Sequence, residues 1–168
     1  FNMKKKQVIY SGDLMRQYRS MSMPGVDRLG FKEWDDFTTM YIQTRSIARQ
    51  YGRDYIMSEM YGISNWEFDF RQYKAIGDWQ AVFGITHQVP HLSYLTMEGE
   101  CKRDFPASIH YQSPWYKEYR YVEDHFARVA TALTRELNTQ SSSALTISQL
   151  HSFVSRAVSF STSVLLGQ

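Results

Sequence analysis

The chain has 168 residues, of which 43% are hydrophobic and 21% are charged, with a net charge of +2. This is enough for one domain with a core, and the composition is not that of a disordered chain. The small net charge argues against nucleic acid or a membrane surface as a partner, so we predict neither. The single cysteine, Cys101, excludes an internal disulfide framework and a cysteine-based zinc site.

No stretch is long and apolar enough to span a bilayer, and no signal peptide is visible. The chain begins with Phe1 rather than Met, so we expect that its N-terminus is missing. Localisation stays open between cytoplasmic and secreted. The histidines lack the spacing of a metal site, and the chain has no Walker loop, GxSxG elbow or GxGxxG motif. We therefore predict no metal and no cofactor.

Residues 1–136 alternate between short apolar runs and amphipathic patterns. Strands are predicted at 7–10, 24–29, 54–58 and 86–95, and helices at 13–21, 35–51, 70–83 and 119–135. Strand–helix alternation at this spacing indicates βα units, about four of them, and a parallel sheet. A closed (β/α)8 barrel needs eight such units. The sequence therefore predicts either a small open α/β sheet or part of a barrel.

Residues 137–168 differ in composition from the rest of the chain. The segment has nine serines and no Asp or Glu, and Arg156 is its only Lys or Arg. We interpret it as a Ser-rich tail outside the domain at 1–136. It is either a weakly docked extension, in which Ile147–Val158 could form a short helix, or a segment foreign to the domain.

Glu59 is the strongest candidate for a catalytic residue. It follows a buried apolar strand, and ligands of parallel α/β folds bind at the carboxyl ends of the strands. Tyr61 and Trp66, on the loop that follows, would flank it. Such surroundings suit a carboxylate of glycoside hydrolysis, but a structural ion pair with a residue such as Arg103 is an equally simple interpretation.

The loop at 96–117 is longer than most loops, and loops of this length are often functional. It combines acids and bases with Arg103, His110 and Trp115, and His91 precedes it. Planar rings and fork-shaped donors bind sugars, but the same composition suits a solvated surface loop. Asp27 is a weaker candidate, because Pro-Gly-Val-Asp is equally typical of a turn.

Several longer runs resemble a known family. They begin at Ser22, Ser58, Lys74, Val89 and Lys102, and read SMPGVD, SEMYG, KAIGDWQ, VPHLSY and KRDFPASIHYQSPW. These runs resemble α-L-rhamnosidase-type glycoside hydrolases and the wider β-galactosidase-like superfamily, over about residues 8–136.

The resemblance implies the C-terminal half of a (β/α)8 catalytic barrel, with Glu59 at the end of the seventh strand. It implies a carbohydrate substrate, with Tyr61, Trp66, His91, Arg103, His110 and Trp115 around the sugar. In this superfamily the second carboxylate follows the fourth strand, which would precede Phe1. The exposed barrel edges predict a homo-oligomer or poor solubility. The alternative is a non-catalytic carbohydrate-binding or interaction module.

Overall fold

A computed structural model describes residues 8–28, 34–100, 102 and 106–139 of the chain. Helices and strands alternate along it in the order α1 (Leu14–Tyr18), β1 (Gly25–Arg28), α2 (Trp34–Gln50), β2 (Met57–Met60), α3 (Phe70–Val82), β3 (His87–Pro90) and α4 (Arg120–Thr139). The strands form one parallel sheet in the order β1-β2-β3. The predicted α/β class is confirmed.

Local signals in the sequence explain where these helices begin and end. The side chain of Asp13 accepts a hydrogen bond from the backbone N–H of Arg16 at the start of α1. Asp69 and Gln72 form a reciprocal capping box at the start of α3. Gly84 follows α3 with a φ of 88°, a conformation that glycine adopts without a steric cost.

The three strands are in register, so that Asp27, Glu59 and Val89 form one row across the sheet. Side chains alternate between the two faces of a strand. In β2, Ser58 and Met60 are fully buried, whereas Met57 and Glu59 are only partly buried. One face of the sheet is therefore covered, and the other, which carries Asp27, Glu59 and Val89, is open among the described residues.

The covered face carries α2 and α3 side by side. Tyr41 of α2 packs against Trp79 of α3 and Phe83, with ring centroids 5.2 and 5.7 Å apart. These rings form a buried cluster with Val26 of β1. Arg45 of α2 also donates a hydrogen bond to the carbonyl of Val82, at 3.2 Å. Because both crossover helices belong to one cluster, they lie on the same face of the sheet.

The last helix, α4, packs on the same side. Its residues Val122 and Phe126, and Tyr119 just before the helix, share a second buried cluster with Met60 of β2 and Tyr73 of α3. The ring of Phe126 lies against Gly77, where α3 has no side chain. All three long helices thus cover one face, as expected when consecutive parallel strands are joined by crossovers of one hand.

The predicted strand at residues 7–10 is wrong. Residues 8–11 are helical, the N–H of Gly12 donates to the carbonyl of Val8 at 3.1 Å, and Gly12 follows with a φ of 79°. Val8 and Ile9 are more than 60% exposed, so no neighbouring strand buries this short apolar run. The described residues consequently contain three strands rather than four.

The other predicted strands are confirmed with shifted bounds. The hydrogen-bonded pairing of β2 with β1 starts at Met57 and not at residue 54, where the predicted strand begins. The N–H of Met57 donates to the carbonyl of Pro24 at 3.0 Å. Glu59 is therefore the third residue of its strand and not the residue after it. The strand predicted up to residue 95 ends at Pro90.

Helix α4 continues past the boundary at 136 to Thr139. Residues 140–168, with the possible helix Ile147–Val158, lie outside the described residues, and so does Arg103. The domain at 1–136 and the tail at 137–168 stay predictions. No helix in the described ranges combines the length and the apolarity that crossing a membrane requires.

Candidate functional site

Three polar residues lie on neighbouring strands where these approach their carboxyl ends. Asp27 of β1 and Glu59 of β2 are paired directly across the strand interface. His91 follows β3 at once, and its N–H donates to the carbonyl of Met60 at 2.9 Å, which extends the hydrogen-bonded ladder by one residue. The sheet thereby places two carboxylates and an imidazole on neighbouring strands.

The charges of Glu59 and His91 both influence the pKa of the Asp27 carboxyl. The Asp27 side chain is exposed by surface area, but the residues around its carboxyl remove part of the hydration of the charged form and so raise its pKa above the usual value. The like charge of Glu59 raises this pKa further, while the imidazole of His91 lowers it. The carboxyl of Asp27 therefore holds its proton more strongly than that of an isolated aspartate.

One ring nitrogen of His91, Nδ1, lies in an unusual environment. Nδ1 is buried and has no hydrogen-bond partner among the described residues. A buried polar nitrogen without a partner is costly in a folded protein, and such atoms often mark positions where a ligand or a proton is handled. His91 lies close enough to Asp27 to influence its carboxyl electrostatically, and its role in a sugar site stays a prediction.

Tyr61 lies inside the core, although the sequence suggested that it flanks a sugar. The residue has a φ of 71°, which turns the chain sharply after β2. Its side chain is 1% exposed and packs between Phe68 and Tyr73. Its hydroxyl donates to the carbonyl of Tyr73 at 3.2 Å. In this position Tyr61 supports the loop behind Glu59 and does not face solvent.

The two tryptophans that were predicted to contact the sugar lie in different environments. Trp66 is partly buried in the loop between β2 and α3. Trp115 packs on the cluster under α4, with its ring centroid 5.4 Å from that of Phe70 and 6.0 Å from that of Tyr73. Trp115 thus contributes to the core, and only part of its ring is accessible.

The long loop after β3 is fixed by side-chain hydrogen bonds. Gln112 donates to the carbonyl of Tyr94 at 2.6 Å and accepts from the hydroxyl of Ser108 at 2.7 Å. The N–H of Ile109 donates to the carbonyl of Leu92 at 3.2 Å, next to His91. These bonds hold the segment 106–113 against the residues that follow the sheet.

This loop presents an aromatic patch that the sequence only partly indicated. His110 is exposed, and its ring lies 5.4 Å from that of Tyr111 and 6.0 Å from that of Tyr116. Tyr111 is 57% exposed. Exposed rings of this kind can stack on the apolar face of a sugar. Tyrosine content alone could not distinguish Tyr111 from the buried tyrosines.

A groove of about 200 Å³ lies elsewhere, between the free edge of β3 and α4. It is lined by residues such as His87, Pro90, Glu123 and Phe126, and does not include Glu59. It is a gap beside the last strand of the sheet and not the location of the carboxylates.

Within the described ranges, no group of three or more His, Cys, Asp or Glu side chains could hold a metal ion. No family model matches the chain, and neither the curated proteins nor the solved structures contain a significant match. The function must therefore be argued from the residues and their arrangement.

Proposed function

We propose that the chain is the C-terminal half of a (β/α)8-barrel glycoside hydrolase and that Glu59 is a catalytic carboxylate for the hydrolysis of O-glycosyl bonds. The observation that carries the proposal is the position of Glu59. It lies on the open face of the middle strand, paired with Asp27 and next to His91. Carboxylates in this position serve as nucleophile or base in barrel glycosidases.

The arrangement of the helices supports a barrel. A doubly wound sheet has helices on both faces, whereas the three long helices α2, α3 and α4 all pack on one. In a (β/α)8 barrel the helices also lie on one face, and the other lines the interior. On this proposal β1, β2 and β3 are the sixth, seventh and eighth barrel strands, and the missing strands cover the row Asp27, Glu59 and Val89.

Glycoside hydrolysis needs a second carboxylate across the scissile bond, about 5 Å away for retention and about 6.5–9.5 Å away for inversion. On this proposal that residue belongs to the other half of the barrel. Trp66, His91 and His110 bind the sugar from this half, and Arg103 and the accessible part of Trp115 complete its contacts. Tyr61 holds the loop in place from the core.

The experiment uses glycosides with a dinitrophenyl leaving group. This group departs without protonation, so the reaction does not need the acid from the other half of the barrel. We expect slow hydrolysis of at least one sugar in a panel by the 168-residue chain. Glu59→Gln should lower kcat/KM by roughly 100- to 10,000-fold, the usual contribution of such a group. Glu118→Gln, a change at an exposed acid before α4, is the matched control.

Calorimetric titration with the same sugars separates catalysis from binding. We expect Glu59→Gln to retain binding and Trp66→Ala to lose it. Sugar binding with no turnover by the unmodified chain would favour the carbohydrate-binding module instead. Turnover that Glu59→Gln leaves unchanged, or neither binding nor turnover with any sugar, would contradict the proposal.

A further inference from the structure

We propose that Asp27 is a positioning residue for Glu59: the two residues are neighbours in one row of the sheet, and a neutral Asp27 carboxyl holds that of Glu59 in place by a hydrogen bond. This inference rests on the proposed function, because it concerns the same site. It gives a role to a residue for which the sequence made only a weak case.

The geometry of the sheet brings the two groups together. Asp27 and Glu59 are register partners in adjacent parallel strands and point to the same face. Backbones of paired strands lie about 4.8 Å apart, so their carboxyl groups are neighbours. Two carboxylates this close do not readily ionise together, and the pair binds one proton more strongly than either group alone.

The surroundings of Asp27 favour its neutral form. Desolvation and the charge of Glu59 both raise the pKa of Asp27, and His91 opposes them. The Asp27 carboxyl is thus protonated over a wider pH range than that of an isolated aspartate. A protonated carboxyl donates a hydrogen bond, and the register partner of Asp27 in this row is Glu59, whose carboxylate can accept it. The proton stays within the pair, and no group is transferred.

Asp27 does not serve as the second carboxylate of the reaction. It lies beside Glu59 in one row of one sheet face. A sugar bound on that face therefore meets both carboxyl groups from the same side, whereas the acid of a glycosidase lies across the scissile bond. The position suits orientation of Glu59 and not protonation of the leaving group.

Carbon NMR of the Asp27 carboxyl in the 168-residue chain tests the pairing without any need for turnover. We expect a pKa above that of an ordinary aspartate. Glu59→Gln should lower it by removing the like charge, and His91→Ala should raise it by removing the opposing imidazole. A pKa of Asp27 that is the same in the unmodified chain and in Glu59→Gln would overturn the inference, whatever the chain catalyses.

Steady-state kinetics test the positioning role of Asp27. Asp27→Asn keeps a neutral donor of the same shape, whereas Asp27→Ala removes it. We expect Asp27→Ala to lower kcat by up to about 100-fold, as misplaced catalytic groups do, and Asp27→Asn to restore most of that loss. In the unmodified chain, kcat/KM should decline as rising pH ionises Asp27, and Asp27→Asn should lack this decline.

Asp54→Asn, at an exposed aspartate before β2, is the matched control and should change neither the titration nor the rate. Equal rates in Asp27→Ala and the unmodified chain would overturn the positioning role even if Glu59 proves essential. Coupled titration without hydrolysis of any glycoside would instead overturn the proposed function, and the catalytic part of this inference with it.

Discussion

Tyr61 and Tyr73 lie in one buried cluster with ring centroids 4.6 Å apart, but their hydroxyl groups differ. The hydroxyl of Tyr61 donates to the carbonyl of Tyr73 at 3.2 Å. The hydroxyl of Tyr73 is buried and has no hydrogen-bond partner among the described residues. A hydrogen-bonded hydroxyl stabilises the fold modestly, whereas an unpaired one loses its hydration without compensation.

Replacing each tyrosine with phenylalanine should therefore change stability in opposite directions. We expect Tyr73→Phe to raise the free energy of unfolding by about 1 kcal/mol and Tyr61→Phe to lower it by about 1 kcal/mol. Urea denaturation followed by circular dichroism measures both. Tyr55→Phe, at a tyrosine that is 49% exposed, controls for the general effect of losing a hydroxyl. Destabilisation by Tyr73→Phe would mean that its hydroxyl has a partner.

Asp27 should make the stability of the fold depend on pH. Because its folded-state pKa is raised, the folded chain binds more protons than the unfolded chain as pH rises above the ordinary aspartate value. Stability is therefore lost as pH rises through the folded-state pKa. We expect Asp27→Asn to raise the Tm at neutral pH, with a gain that disappears at acidic pH where Asp27 is neutral. A gain that is equal at both pH values would contradict this account.

At the scale of the elements, α3 and α4 approach each other closely at Gly77. A Cβ at this position would overlap the ring of Phe126. We expect Gly77→Ala to lower the free energy of unfolding by about 1–3 kcal/mol, the cost of overpacking, although alanine favours a helix by about 1 kcal/mol over glycine.

A second substitution tests the cause of this loss. Phe126→Leu shortens the facing side chain, so Gly77→Ala combined with Phe126→Leu should be more stable than the sum of the two single effects. The measurement is a double-mutant cycle by urea denaturation. Additive effects would mean that the ring of Phe126 does not restrict position 77.

The elements also show what the sequence could predict. Helix ends depend on residues close in the chain, such as the cap at Asp69 or the glycine at Gly84, so α3 was predicted within a residue at each end. Strand ends depend on pairing with distant residues. The apolar run at Val8–Tyr10 has the composition of a strand, but no strand of the described residues lies beside it, and it is helical.

The difference between local signals and long-range pairing also decides which residues of the candidate site the sequence indicates. Glu59 could be found from the sequence, because a single acid after an apolar run is a local signal. The pairing of Asp27 with Glu59 depends on the register between β1 and β2, which the sequence does not show. The burial of Tyr61 follows from a positive φ at a residue other than glycine, which composition does not indicate.

At the scale of the whole molecule, the described part of the chain covers the sheet on one face only. Parallel sheets in proteins are normally buried on both faces. Among the described residues, β1 and β3 also each have one edge without a neighbouring strand. An uncovered face between two free edges is what separating a closed barrel into halves would produce, and such edges can pair with another copy of the chain.

We therefore expect the isolated chain to self-associate as its concentration rises, measured by light scattering. Val89 lies in the edge strand β3 on the open face and is 44% exposed. Val89→Lys should reduce association, because a charged side chain on an edge strand opposes pairing. Leu95→Lys is the matched control, since it removes a more exposed apolar side chain, at 94%, outside the sheet.

The comparison of the two variants distinguishes the causes of association. If the sheet edge is responsible, only Val89→Lys shifts the equilibrium toward monomer. If exposed apolar surface in general is responsible, Leu95→Lys has the larger effect, because it removes more accessible area. A monomer at all concentrations would contradict the half-barrel, since a sheet with two free edges and an open face would then be stable alone.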